Sequence, residues 1–352
     1  MMMLGRLLVI WAAVCVPCLL NCSWARAQTE TKDSEAALPV GAFSPTDPVN
    51  ATLSRDRTRV YRLEAGSTYR NACFDPCDCV LDLRSSLSGT MILTRTPATT
   101  PGTRRYEVSD VNWRINIGGS DVLVRGSGVY TWYPSLGPLT VLAHRLELDL
   151  RIGEGATPVR FDSELIAGAS DGEWPPINIV IDMNNQFCTD QVFSIESTPV
   201  DPASILTYRL DSGSFYQEGC LPPCLCPILI EQPQGGSFAL VPLPSAPDSP
   251  AVRQWGVVRI GWFPLVAISP VDAVTTGSGF YFIGPRDARP PVGQRMLVAL
   301  TRPGTPEEEY DSGLVPLGPV FSAALPPPRI TLSIADNGFF CYNQVYGVSA
   351  VR

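Results

Sequence analysis

Apolar and polar residues alternate with period two along most of the chain, the pattern of strands with one face buried. Leu146, Leu148, Leu150 and Ile152 fall on one face of a run, while Arg145, Glu147, Asp149 and Arg151 fall on the other. Ile177, Ile179 and Ile181 repeat the pattern, as do Val122 and Val124. The runs are short and are separated by Gly, Pro, Asn and Ser turns. Beyond residue 27 no window carries a capped apolar stripe of helical period. The fold class expected is all-β and antiparallel, a β-sandwich or a β-barrel, with about nine or ten strands in each half.

The halves repeat one another. Cys73-Phe-Asp-Pro-Cys77-Asp-Cys79 returns as Cys220-Leu-Pro-Pro-Cys224-Leu-Cys226, each following a Tyr-Arg-Leu start (Tyr61 to Leu63, Tyr208 to Leu210). Phe187-Cys188 and Phe340-Cys341 close the two units. Tyr106, Val108, Val111 and Trp113 match Trp255, Val257, Ile260 and Trp262, and Phe161-Asp162-Ser163 matches Tyr310-Asp311-Ser312. Self-similarity at this spacing predicts two tandem homologous domains, 57–199 and 205–352, arisen by duplication. The repeats differ most where Arg95–Arg104 aligns with Val241–Val252, and where Asp171–Trp174 aligns with Val315–Pro327. Recognition specific to one repeat is expected in those loops.

The first 27 residues read as an export signal: Arg6, then the apolar run Leu7–Leu20, then Ala25-Arg26-Ala27 before Gln28. A rival reading lipidates Cys22. Residues 28–56 read as a flexible polar leader, and no later stretch has the ~18 apolar residues of a membrane span. The destination expected is secreted or periplasmic. Of 11 cysteines, eight follow the signal, four in each repeat. In an oxidising compartment Cys73, Cys77, Cys79, Cys188, Cys220, Cys224, Cys226 and Cys341 should all be disulfide-bonded. One of Cys73, Cys77 and Cys79 should reach Cys188 while the other two close a small loop. Avoiding a bond between Cys77 and Cys79 makes Cys73 a member of that loop. The second repeat follows the same logic.

The net charge of -8 disfavours nucleic acid and anionic membranes as partners. His144 is the only histidine, and Gln294 holds its place in the second repeat. That excludes a Ser-His-Asp triad in both halves and any site with two histidine ligands. His144 itself reads as a surface or strand-edge residue. Glu307, Glu308 and Glu309 read as a solvated loop, and Gly126-Ser-Gly and Gly277-Ser-Gly as tight turns or bulges. No metal or cofactor is expected.

Two features remain. Asp162 and Asp311, one in each half, with Asp311-Ser312-Gly313, resemble the plan of the pepsin-like aspartic proteases, which implies two carboxylates sharing a proton and activating water. Glu164 stands where that family has glycine, and the competing role is hydrogen bonding of a turn. The aromatics Tyr106, Trp113, Tyr130, Trp132, Trp255, Trp262 and Tyr281 are candidate ligand contacts, weighed against core packing. Seven residues apart on a regular strand, Tyr106 and Trp113 should face opposite ways, as should Trp255 and Trp262. The function expected is a non-enzymatic binding or structural module whose partner is a protein, a glycan or a small apolar ligand. The alternatives are a barrel-type carrier of a small apolar ligand and, behind it, a hydrolase using Asp162 and Asp311.

Overall fold

The computed structural model describes residues 57–352 apart from 99, 118, 135–140, 225–228, 246–250, 267–273, 286–291 and 318–325. The export signal (1–27), the leader (28–56), Cys22 and Cys226 lie outside the described residues.

The alternating runs form two ten-stranded antiparallel sheets. The first holds β1 (Thr58–Leu63), β2 (Thr68–Cys73), β3 (Asp82–Thr96), β4 (Arg104–Ile117), β5 (Ser120–Tyr133), β6 (Ala143–Ile152), β7 (Val159–Asp162), β8 (Ile166–Ala167), β9 (Ile177–Asp182) and β10 (Thr189–Pro199). A 3-10 turn, Pro202–Ser204, capped by the Asp201 carboxylate, leads to the second. That sheet holds β11 (Leu206–Leu210), β12 (Phe215–Cys220), β13 (Leu229–Pro242), β14 (Arg253–Pro264), β15 (Thr275–Pro285), β16 (Val292–Thr301), β17 (Glu307–Asp311), β18 (Val315–Pro316), β19 (Arg329–Ala335) and β20 (Tyr342–Val351). Every strand pairing in the first sheet has its counterpart ten strands later in the second.

Each sheet closes on itself. β2 pairs with β3, and neighbouring pairs run through β4, β5, β6, β7, β9 and β10 back to β2. The second ring runs from β12 round to β20 in the same way. The architecture is therefore a barrel rather than a sandwich, and closure removes the exposed edges that an open sheet presents.

The alternation holds inside the rings: Leu146, Leu148 and Leu150 are fully buried in the first core, and Met296, Val298 and Leu300 in the second. It fails at one place per barrel, with a physical cause. Asp110 and Arg259 take left-handed backbone (φ 49° and 55°) in β-bulges of β4 and β14. The extra residue shifts the phase by one, so Tyr106 and Trp113 both point inward, as do Trp255 and Trp262. The bulge faces Gly126 and Gly128 on β5, and Gly277 and Gly279 on β15. These glycines lie mid-strand and not in turns. A Cβ at Gly128 would sit 2.0 Å from the Glu147 carbonyl, so only glycine fits the crossing.

The described residues belong to one compact unit, and the two barrels share a contact surface. Its apolar parts are Val60 and Val200 against Ala239, Val241 and Val258, and Leu123 against Phe280, Phe282, Leu297 and Ala299. On the first barrel the positions equivalent to those last four are Val129, Thr131, Glu147 and Asp149, with Arg160 paired to Glu147. The same outer face is apolar where the neighbouring barrel covers it and charged where solvent does.

Between the apolar parts lies a buried polar network. Arg125 donates to Asn112 Oδ1 (2.7 Å), Ser278 Oγ (2.6 Å) and the Ser278 carbonyl (2.8 Å). Asn112 donates in turn to the Gly279 carbonyl (2.7 Å), and Ser278 Oγ to Asp110 (2.5 Å). Burial pushes the Asp110 carboxyl up to about 6. Asp121 receives Arg114 of its own barrel and Arg295 of the other, and Arg151 pairs with Glu307. The run Glu307–Glu309 is thus part of β17, with Glu307 at the interface, and not a solvated loop.

Arg125→Ala should cost about 3–5 kcal/mol, because it leaves Asn112 Oδ1 and the Ser278 oxygens without their buried donor and removes the positive charge acting most strongly on Asp110. Urea unfolding would measure this, and a loss below about 1 kcal/mol would mean that the network is incidental.

Candidate binding tips

The cysteine blocks build the same structure at one end of each barrel. Cys73 bonds Cys79, closing the β2–β3 loop, and Cys77 bonds Cys188 in the β9–β10 turn. Cys73 is in the small loop, and Cys77 makes the long bond that the spacing left open. Cys224 bonds Cys341, the equivalent long link, and Cys220 is disulfide-bonded as well. A crosslink spanning more than a hundred residues removes about 4–5 kcal/mol of chain entropy from the unfolded state.

Backbone bonds complete each tip. Phe74 N–H donates to the Cys188 carbonyl (2.8 Å), and Leu221 N–H to the Cys341 carbonyl (2.9 Å). The buried carboxylate of Asp190 accepts from the backbone of Met183, Asn184, Gln186 and Gln191. Asn343 stands in its place in the second barrel and accepts from Asn337. Asn185, Gln186 and Cys188 are held in left-handed backbone, as are Phe339 and Cys341. Left-handed backbone costs each such non-glycine residue roughly 1–2 kcal/mol, so the turns stay fixed only because the surrounding bonds over-determine them.

These rigid turns present apolar side chains to solvent. Phe187 is 55% exposed and Phe340 58%, at equivalent positions before the closing cysteine. Val80, Leu81 and Met183 are also exposed in the loops of the first tip or beside them, as are Leu229, Ile230, Phe339 and Tyr342 at the second. Sequence reasoning passed over both phenylalanines as companions of the cysteines. Their signal was present: a bulky apolar residue, kept in both copies, in a turn between two polar segments.

Beside the second tip, the barrel mouth holds a cluster that the first lacks. Tyr216 Oη and Tyr342 Oη both donate to Glu218 (2.6 Å each), and Arg302 donates to Tyr216 Oη (2.6 Å). Tyr310 Oη lies 2.6 Å from Gln344 Oε1 and 3.0 Å from Glu308, and its one proton is shared between them. The tyrosine hydroxyls hold the Glu218 carboxyl below its usual range, so it stays ionised and is unsuited to giving a proton. Burial raises Tyr216 and Tyr310 far above the ordinary phenol.

The seven candidate aromatics lie elsewhere. Tyr106, Trp113, Tyr130, Trp132, Trp255, Trp262 and Tyr281 are all buried, packed on one another and on the barrel cores. Trp174 closes over Tyr106, while the Tyr106 hydroxyl donates to the Glu173 carbonyl (2.5 Å) and the Trp132 indole to the Ser170 carbonyl (3.0 Å). The Asp171–Trp174 loop is thus a cover over the barrel end opposite the tip, further tied by Arg104 to Asp171.

Asp162 and Asp311 are each engaged by an arginine of their own barrel rather than by one another. Arg145 clamps Asp162 and Arg295 clamps Asp311. The Arg145 bond holds the Asp162 carboxyl below the usual range. Asp162 also accepts from Glu164 N–H and Asp311 from Gly313 N–H, both at 2.8 Å, which is the turn-bonding role. Among the described residues no group of three or more His, Cys, Asp or Glu side chains could hold a metal ion.

His144 is neither at the surface nor at an edge: it is 2% exposed on β6, between β5 and β8. Its Nδ1 lies 3.1 Å from Tyr130 Oη, and Gln294 makes the equivalent bond to Tyr281 Oη (2.8 Å). Burial lowers the imidazole's affinity for protons. The unfolded chain therefore binds a proton before the folded one does, and stability from this group falls as pH drops below about 6.5. His144→Gln should fold with Tyr130 donating to the new amide and should lose that part of the acid sensitivity. Melting temperatures of both proteins between pH 5 and 7 check it; identical slopes would show that His144 is not the titrating group.

Comparison with protein-family models, with curated proteins and with solved structures finds no match to this chain.

Proposed function

We propose that the chain is an exported, non-enzymatic binding or structural module of the extracellular space or cell envelope, made by duplication of one barrel and engaging its partner through the disulfide-locked tips. The observation that carries this reading is the pair Phe187 and Phe340, more than half exposed on equivalent rigid turns while most other aromatics among the described residues are buried. Apolar side chains held rigidly in water lose little entropy on binding and gain the burial energy, which suits them to recognition. Disulfide bonding agrees with an oxidising destination, and no helix among the described residues is long and apolar enough to cross a membrane. The barrel interiors leave little support for a carrier, because their own side chains fill them. Arginine clamps on Asp162 and Asp311 leave equally little for an acid-dyad hydrolase.

Two measurements test the proposal. The denatured mass of the protein recovered from its producing cells should start at Gln28 and lack the hydrogens of eight thiols. Added lipid mass would move the assignment to a Cys22 anchor. The double variant Phe187→Ser, Phe340→Ser should keep its melting temperature, since surface changes usually stay within about 0.5 kcal/mol, yet lose cosedimentation with the cell-envelope fraction. Undiminished cosedimentation would remove the tips from the proposal.

A further inference from the structure

The outer face of the second barrel carries a groove where the two repeats have diverged. Tyr216, Tyr346, Val348 and Leu332 point into the core, so their strand neighbours Phe215, Gly347, Ser349, Thr331 and Ser333 face outward. These outward residues line a groove of 380 Å³ over β12, β20 and β19, with Ser312 and Val315 on one lip and Phe339 at one end. Its volume is within the ~300–1,000 Å³ of ordinary ligand sites.

Two aromatic rings stand there that the first barrel lacks. Phe215 pairs with Gly347 across β12 and β20, and a Cβ at Gly347 would lie 2.2 Å from Phe215 Cε1, so glycine is what lets the ring lie against the strand. The equivalent pair in the first barrel is Thr68 and Ser194. Phe339 holds left-handed backbone (φ 63°), which bulky side chains avoid, and is 38% exposed; Gln186 takes its place in the first barrel. A third difference opens the space between the rings. In the first barrel Glu196 stands where the second has Ser349, and its carboxylate covers Gly66, within 2.3 Å of where a Cβ would sit. The short Ser349 leaves the same space open beside Gly213.

The polar groups of the groove are neutral. The hydroxyls of Thr331 and Ser333 have no hydrogen-bond partner among the described residues. Beside the groove Arg329 pairs with Asp211 (2.8 Å) and lies 3.3 Å from Ser349 Oγ, while Asp211 also accepts from the Gly213 N–H (2.9 Å). The two charges there are matched to one another.

We propose that this groove binds a short neutral saccharide, with the C–H faces of its rings on Phe215 and Phe339 and its hydroxyls on Thr331 and Ser333. A pyranose carries an apolar face and a rim of hydroxyls on one rigid ring, and the groove offers aromatic and hydroxyl partners side by side. A wholly apolar ligand would bury those hydroxyls unpaired, and a charged one would lose its hydration without gaining a free counter-ion. The site uses neither Phe187 nor Phe340, so it can fail while the tips remain the docking element, and the reverse.

The probes are cellotriose, chitotriose and maltotriose, each titrated into the full-length protein and read by saturation-transfer NMR. At least one should bind saturably with a dissociation constant of about 1 mM or tighter, its ring C–H protons taking most of the transferred saturation. Phe339→Gln and Phe215→Thr install the residues of the first barrel, and each should weaken binding about tenfold or more. Melting curves establish that the variants fold. If Phe215→Thr does not, Phe339→Gln decides the matter, because Gln186 already holds that backbone in the first barrel. Saturable binding of none of the three, tighter binding of the charged trigalacturonate, or undiminished binding by a folded variant would each overturn the proposal.

Discussion

Backbone hydrogen bonding around a ring is the constraint from which the rest of this structure follows. An antiparallel sheet leaves two edges of unpaired amides and carbonyls, and closure removes them at the cost of an interior that must be filled. Tyrosine, tryptophan and phenylalanine fill it here; tyrosine hydroxyls reach backbone carbonyls at the barrel ends, as Tyr61 does to Pro175 and Tyr208 to Pro327, while the indole N–H groups of Trp113 and Trp262 are buried without a partner among the described residues. The paired bulges at Asp110 and Arg259 serve the same end, bending β4 and β14 and turning a second aromatic inward.

A filled interior displaces chemistry to the outside, and there the two barrels diverge. The outer face of β15 and β16 became apolar where the first barrel lies on it, whereas the same face of β5 and β6 kept Glu147, Asp149 and their arginine. The contact is not held by apolar area alone. Arg125 is wholly desolvated, and its charge is tolerable only because carbonyl, amide and hydroxyl oxygens surround it. Such a network stabilises less than apolar packing of equal area, but it fixes one register of barrel on barrel.

The disulfides act at the other extreme of the fold, on loops that a barrel does not need. They hold the β2–β3 and β9–β10 connections, and their equivalents, in turns containing left-handed residues that would not persist unsupported. Rigid presentation of Phe187 and Phe340 is the consequence. The polar cluster around Glu218 and Arg302 marks the same end of the second barrel as chemically distinct from that of the first, where Phe161 and Phe193 pack instead.

Strand character, a count of about nine or ten strands in each half and the equivalence of the halves were legible in the residues, because period-two alternation and repeated cysteine blocks are local signals. So was the membership of Cys73 in the small loop, which follows from the short reach between Cys77 and Cys79. Tertiary structure alone decided the rest. Whether a sheet curls shut depends on pairings between β2 and β10, far apart in the chain, and no local pattern encodes them. Alternation could not reveal that Asp110 breaks phase, since a bulge depends on the strand opposite. Nor could it place His144 inside, where β5 and β8 of its own barrel enclose it, or Glu307 against Arg151 and Phe280 under a neighbouring barrel, where burial comes from surfaces brought in by the other half of the molecule.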